Sequence, residues 1–192
     1  TEQLKKAKKK SYMYVLNNGS LVKLASPEIA TIKILGEGDS ENVIGLNGLP
    51  YADQHWDFNT TNDLFLINLQ NGKSTKIANE VKLENEVLYS SPSGNTVVWY
   101  SKADTAWFGN DTKISKRLTK EKTFSDVADD DHPDLPNSYG FVGWEGETPI
   151  VNDKYDIWKL NFYQPNAKTK LTNGRKNGFV YRYVKTDIEE KS

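Results

Sequence analysis

The 192-residue sequence predicts an all-β repeat fold, a partial β-propeller, on three observations. An aromatic residue inside a short apolar or β-branched run recurs at Tyr14, Phe65, Trp107 and Trp158, at intervals of 51, 42 and 51 residues. Each is followed, 10 to 13 positions later and beyond a polar turn, by an aliphatic residue: Leu24, Ile77, Leu118 and Leu171. The segments between them lack the heptad-like apolar spacing that helical repeats of this period require. A period of roughly 40 to 50 residues built from short strands fits one four-stranded propeller blade.

The elements follow in order. Lys5, Lys6, Lys8, Lys9 and Lys10 give the first ten residues a local charge of about +4 after Glu2. Residues 1–10 read as a solvated tether; contact with an anionic surface is the second reading, and no aromatic residue is interleaved before Tyr12 to favour it. Ser11 to Leu16 reaches Asn17-Asn18-Gly19, and Leu64 to Leu69 reaches Gln70-Asn71-Gly72. Asn-Gly supplies the positive φ angles of a type I′ hairpin, so both read as strand-turn-strand units, the third and fourth strands of two blades.

Val87 to Ser90, the turn Ser91-Pro92-Ser93-Gly94-Asn95 and Thr96 to Tyr100 read as a first and second strand, because proline cannot donate to a ladder and glycine turns cheaply. Gly140 to Trp144, Pro149 to Val151 and Tyr155 to Leu160 repeat the scheme, closed by Lys170-Leu171-Thr172 after Gln164-Pro165-Asn166. The plan is an arc over 11–192: a partial blade near 11–25, then three complete four-stranded antiparallel blades at about 29–79, 85–120 and 138–173. The first complete blade carries a polar excursion from Leu49 to Asn62, and a last partial blade restarts at Phe179 to Val184. With Thr1 at the start and no signal peptide, the chain reads as a piece of a longer protein. Blades at the ends of an arc leave apolar faces unpaired, so self-association is expected.

Composition narrows function without naming it. Apolar residues make up 36%, with 10 Tyr and 5 Trp. The balance of 25 basic against 26 acidic residues offers no global field for nucleic acid or an anionic membrane. The absence of cysteine excludes disulfides, thiolate metal sites and thiol nucleophiles. No apolar run approaches the roughly 18 residues of a membrane span.

Candidate chemistry is sparse. A nucleophile elbow needs Gly-x-Ser-x-Gly, and the one pair of glycines four apart, Gly174 and Gly178, flanks Lys176. His55 and His132 stand alone, outside any His-Glu-x-x-His pair. Gly36 and Gly38 lack the third glycine of a phosphate loop at position 41. Asp126, Asp129, Asp130, Asp131, His132 and Asp134 form the densest polar cluster. They read as a solvated loop between blades, with an ion site or a partner contact as alternatives; the ordered spacing of a calcium loop is missing. His55-Trp56-Asp57 reads as packing of Trp56 on its blade, with presentation of an aromatic to a peptide as the alternative. Trp99, Trp107, Trp144 and Trp158 read as packing between blades. Sequons begin at Asn18, Asn59 and Asn110 and are expected by chance in so Asn-rich a chain. No catalytic residue, cofactor or metal site is assigned.

One succession of motifs is more specific. Ser91-Pro92-Ser93-Gly94 precedes Val97-Val98-Trp99-Tyr100; then come Tyr139 to Trp144, Tyr155-Asp156-Ile157-Trp158, and Leu171-Thr172-Asn173-Gly174-Arg175-Lys176-Asn177. In that order they resemble the N-terminal β-propeller of bacterial members of the prolyl-oligopeptidase family of serine peptidases, over about 60–184. The resemblance implies a C-terminal α/β-hydrolase domain carrying the Ser-Asp-His triad, with the propeller as a non-catalytic cap that gates entry of short peptides. No triad residue maps onto this chain. Some dipeptidyl-peptidase relatives hold the substrate's amino terminus with propeller glutamates; no matching motif is found, and Glu145 and Glu147 are not assigned that role. Export of similar bacterial enzymes implies a periplasmic or secreted location. The runner-up is a TolB-like periplasmic propeller acting as a protein-interaction module without a hydrolase.

Overall fold

A computed structural model describes residues 11–54, 59–127, 134–164 and 167–186. The lysine-rich start, His55-Trp56-Asp57 and Asp129 to His132 lie outside the described residues. The chain is an all-β partial propeller, and its described residues form three four-stranded antiparallel sheets preceded by a two-stranded one. The hairpin pairs β1 (Tyr14–Asn17) with β2 (Ser20–Lys23). The first four-stranded sheet runs β3 (Thr31–Ile34), β4 (Asn42–Asn47), β5 (Thr61–Asn68), β6 (Ser74–Lys82). The second runs β7 (Tyr89–Ser90), β8 (Val97–Ser101), β9 (Ala106–Asn110), β10 (Ser115–Arg117). The third runs β11 (Phe141–Glu145), β12 (Thr148–Asn152), β13 (Ile157–Leu160), β14 (Lys168–Lys170). A four-residue helical turn, α1 (Gly174–Asn177), follows.

Strand neighbours are sequence neighbours within every sheet, so each is an up-and-down meander, and the sheets bury their faces on one another. Val15 and Val22 of the hairpin meet Leu24, Val43 and Ile67. On the other face of the same sheet, Ile44, Leu64 and Leu66 meet Val97 and Trp99 of the next. Val98, Tyr100 and Trp107 then meet Val151, Leu160 and Phe162 of the last. Strand β8 therefore sends alternate side chains into two different cores, which is why Val97-Val98-Trp99-Tyr100-Ser101 is buried at every position. Continuous apolar runs are the signature of strands covered on both faces. Trp99 and Trp107 are fully buried between sheets, whereas Trp144 and Trp158 are half-buried.

Three local readings need correction. The Asn18-Gly19 turn is the expected two-residue loop, with φ of 47° and 79° closed by Asn17 opposite Ser20. The Gln70-Asn71-Gly72 turn is not type I′: Gly72 alone has positive φ, and Gly72 N–H reaches back to the Asn68 carbonyl at 2.8 Å. The Asn68 side chain accepts from the amides of Gln70 and Asn71, and Asn71 does not take the positive φ of a type I′ turn.

The aromatic repeat is out of register by one at its third member. Leu118 N–H donates to the Trp107 carbonyl, as Leu171 N–H does to Ile157 and Leu24 N–H to Met13. Phe108, not Trp107, is the counterpart of Tyr14 and Trp158. With that shift, the aromatic sits opposite a cation in every sheet: Tyr14 and Lys23, Phe65 and Lys76, Phe108 and Arg117, Trp158 and Lys170. Three of these pairs place the cation over the ring, within 5.4 to 5.8 Å of its centroid.

Phe179 to Val184, finally, joins no ladder; it is held by Phe179 N–H on Gly174 O and Tyr181 N–H on Tyr155 O. A strand needs a neighbour, and no described segment runs beside this one.

Candidate functional site

The two ends of the sheets differ sharply. At one end the connections between first and second strands, and between third and fourth, span two to seven residues. The other end holds the links between second and third strands and between sheets, including residues 48–60 and the longest connection, 118–140. Long connections on a rigid sheet frame are where binding residues concentrate. This elaborated end is the candidate site.

Three hubs fasten it. Asp63, at the start of β5, is buried; its Oδ1 accepts from the Tyr51 hydroxyl at 2.6 Å and the Glu80 amide at 3.0 Å, and its Oδ2 from Lys76 Nζ at 2.6 Å. Tyr51 lies in the short helical turn Leu49–Tyr51, so this carboxylate bolts the 48–60 connection to the sheet. Burial alone would raise the Asp63 pKa; the Lys76 ammonium, the Tyr51 hydroxyl and the Glu80 amide outweigh it and hold the group below its ordinary value. Reciprocally, the hydrogen bond to Asp63, followed by burial, pushes Tyr51 up to about 12.

The second hub joins the two long connections. Asn59 Nδ2 donates to Asp134 Oδ1 at 2.7 Å, and Lys102 Nζ to Asp134 Oδ2 at 2.6 Å. The Lys102 side chain is only 6% exposed, so its ammonium depends on that carboxylate. The Lys102 hydrogen bond, then that of Asn59, lowers the Asp134 pKa. Nearby, Glu84 accepts from both the amide and the hydroxyl of Ser138, at 3.0 and 2.6 Å, tying the link after β6 to the end of the 118–140 connection.

The third hub gives the Tyr155-Asp156-Ile157-Trp158 motif its physical meaning. Asp153 Oδ1 accepts from the amides of Tyr155 and Asp156, forming the turn into β13. Asp156 is fully buried and accepts from Thr172 Oγ1 at 2.8 Å and from the amides of Gly174 and Arg175. Thr172 Oγ1 in turn accepts from the Ile157 amide at 3.1 Å, as Thr119 Oγ1 does from the Trp107 amide at 3.0 Å. Burial would raise Asp156; the hydroxyl, the two amides and the Lys170 charge more than offset it, and its pKa lies below the ordinary value. The Leu-Thr-Asn-Gly run is thus the receptor for the aspartate of Tyr-Asp-Ile-Trp.

A cavity of about 210 Å³ opens beside the first hub, among Gly48, Tyr51, Gln54, Asn59 and Thr61. Its walls carry neutral donors and acceptors, and Thr61 Oγ1 is already committed to Gln54 Oε1. Four hydroxyls of this end serve carboxylates: Tyr51 donates to Asp63, Ser138 to Glu84, Tyr139 to Asp126 and Ser101 to Asp104. Such pairs orient the loops that carry them.

Of the acidic cluster, the described members diverge: Asp126 accepts from Tyr139, while Asp134 serves Lys102 and Asn59. Among the described residues no group of three or more His, Cys, Asp or Glu is placed to hold a metal ion. Glu145 pairs with Lys159, and Glu147 Oε1 accepts from Ser93 at 2.6 Å, on the short-turn end. The sequence reading missed Tyr51, Asp63 and Lys102, and saw Asn59 only as a sequon. The signal available was weak: single polar residues at the borders of apolar runs. Among the described residues no helix is long and apolar enough to cross a membrane. No family model matches the chain, and no curated protein matches it.

Proposed function

We propose that this chain is the non-catalytic propeller segment that caps and gates the α/β-hydrolase domain of a serine peptidase acting on short peptides. The observation that carries the reading is the asymmetry of the ends: both long connections lie on one end and are bolted to it by Asp63 and Asp134. A cap needs a stiff frame, so that its openings have a fixed size, and one specialised face toward the partner domain. The motif succession from Ser91 to Asn177 supplies the choice of partner. Specificity then arises by exclusion: folded proteins do not pass, and short peptides meet polar walls.

The test is the reading frame beyond Ser192, expressed with this segment. An α/β pattern with Gly-x-Ser-x-Gly, and peptide hydrolysis that the segment alone lacks, is the expected result; further strands followed by a stop would leave an interaction module instead. Asp134→Ala in the longer protein loosens the face and broadens the size range of accepted peptides, with activity on a minimal chromogenic substrate retained. We further propose export to the periplasm or beyond, which cell fractionation checks. In isolation the segment exposes Leu16, Leu21, Ile34 and Val184, each more than 60% accessible, and self-associates; a monodisperse monomer in concentrated solution by light scattering would overturn that.

A further inference from the structure

Five Asn-Gly pairs occur in the chain, at 18–19, 47–48, 71–72, 173–174 and 177–178. At such a pair the amide nitrogen of the glycine, unshielded by a side chain, can attack the asparagine side-chain carbonyl. The attack needs that nitrogen free of a hydrogen bond, the carboxamide free to turn, and a backbone able to bend.

The fold withholds these conditions from four of the five. Gly72 N–H donates to Asn68 O at 2.8 Å, Gly174 N–H to Asp156 Oδ1, and Gly178 N–H to Gly174 O. Asn47 ends β4 opposite Asp63, and its Oδ1 is held by the Leu49 amide at 3.0 Å. Asn18 is different. It is exposed at the tip of the β1–β2 loop, and nothing lies within 4 Å of the position a Gly19 Cβ would occupy. Among the described residues, neither its carboxamide nor the Gly19 N–H finds a hydrogen-bond partner.

We propose that Asn18 is a modification site, at which the folded chain deamidates with water as co-reactant. The Gly19 nitrogen gives its proton to hydroxide or a buffer base and bonds to Asn18 Cγ. The side-chain nitrogen takes a proton from water or the protonated base, its bond to Cγ breaks, and it leaves as ammonia, which leaves a five-membered succinimide. Water opens the ring at either carbonyl, giving aspartate or isoaspartate. The balance is carboxamide plus water to carboxylate plus ammonium, with no change in oxidation state. Isoaspartate routes the main chain through an extra methylene in a two-residue loop, where Asn17 opposite Ser20 sets the hairpin register. The product therefore loosens Val15 and Val22 from Leu24, Val43 and Ile67.

The test incubates the chain in mildly alkaline buffer, folded and in urea, and follows isoaspartate at all five pairs by peptide mass spectrometry with isoaspartyl methyltransferase labelling. In the folded chain Asn18 reacts about tenfold faster than Asn71, Asn173 or Asn177, the factor set by one protecting hydrogen bond. In urea the five rates converge. The proposal is overturned if Asn18 shows no lead in the folded chain, or if the same lead persists in urea. Asn18→Gly, which retains the positive φ the turn requires, abolishes the early acidic product; its persistence would also overturn the assignment.

Discussion

Asp156 and Asp63 are both buried aspartates on the elaborated end, each fastening a connection to a sheet, yet they are held by different kinds of partner. Asp156 takes its hydrogen bonds from two main-chain amides and the Thr172 hydroxyl, within 19 residues of its own position. Asp63 takes most of its support from side chains, Lys76 and Tyr51, and the Lys76 side chain is 44% exposed. Main-chain donors carry no rotamer entropy, and the two that serve Asp156 belong to the short helical turn α1 that follows the last strand. Side-chain donors must be ordered separately, at a cost in rotamer entropy, and the exposed one is screened by salt. The first joint belongs to the repeat; the second is an addition that anchors one long connection.

The largest effect is expected at Asp156. Asp156→Ala leaves the buried Gly174 amide, the part-buried Arg175 amide and the Thr172 hydroxyl without their acceptor, and costs about 3 kcal/mol of unfolding free energy by urea denaturation. Asp156→Asn is nearly as costly, because its NH₂ group must confront a donor wherever it points. A loss below about 1 kcal/mol in both variants would show that water replaces the carboxylate and that the joint is not structural. Asp63→Ala follows at about 2 kcal/mol, since Lys76 regains solvent while the Tyr51 hydroxyl and Glu80 amide lose their acceptor. The same variant releases residues 48–54, and faster amide exchange there with β4 and β5 still protected is the expected signature.

The sequence made the sheets legible and left these joints hidden, for physical reasons that differ by residue. Alternation and turn chemistry are local, so the Asn18-Gly19 hairpin and the Ser91-to-Asn95 turn could be read directly. The Gln70-Asn71-Gly72 turn failed because Asn68, before the dipeptide, chose the loop. The sequence pattern points to Trp107 in place of Phe108 because β9 is covered on both faces, and neighbouring aromatics then carry no inside-outside contrast. Asp156 was legible as part of a motif, though not as an acceptor, since Thr172 lies 16 positions away. Asn59 and Asp134 are 75 positions apart, and nothing in either local sequence announces the other. Hydrogen bonds of that span are set by which sheets become neighbours.

Acid weakens both joints. Both carboxylates lie below their ordinary value of 3.8, so near that pH the unfolded chain binds more protons than the folded one and stability rises with pH. Their contribution is complete above the ordinary value and is lost as pH falls through the lower folded values. Asp63→Asn removes its share of this dependence, so the melting temperatures of the variant and the parent chain converge as the solution is acidified below pH 3.8. Parallel curves would mean that the Asp63 carboxyl binds its proton equally well folded and unfolded, so that Lys76, Tyr51 and the Glu80 amide do not favour its charge.

The smallest expected effect is the most selective probe of the added joint. Tyr51→Phe deletes one hydroxyl and leaves Asp63 with Lys76 and the Glu80 amide, so the loss is about 1 kcal/mol. Its sign with pH is opposite to that of the aspartates. A tyrosine raised from 10.0 to about 12 keeps its proton where the unfolded chain has released it, so the stability it adds is complete below pH 10 and is lost as pH rises through the folded value. Tyr100 is also pushed to about 12, but by burial first, with its hydroxyl on Ser125. Tyr89 and Tyr139 are raised as well, each by burial first, so ultraviolet titration of the folded chain shows a late tyrosinate component, and Tyr51→Phe removes the Tyr51 share of it while Tyr100 remains. If the late component survives undiminished, the Tyr51 hydroxyl is not bound to Asp63, and the 48–60 connection is held to the sheet by something other than this aspartate.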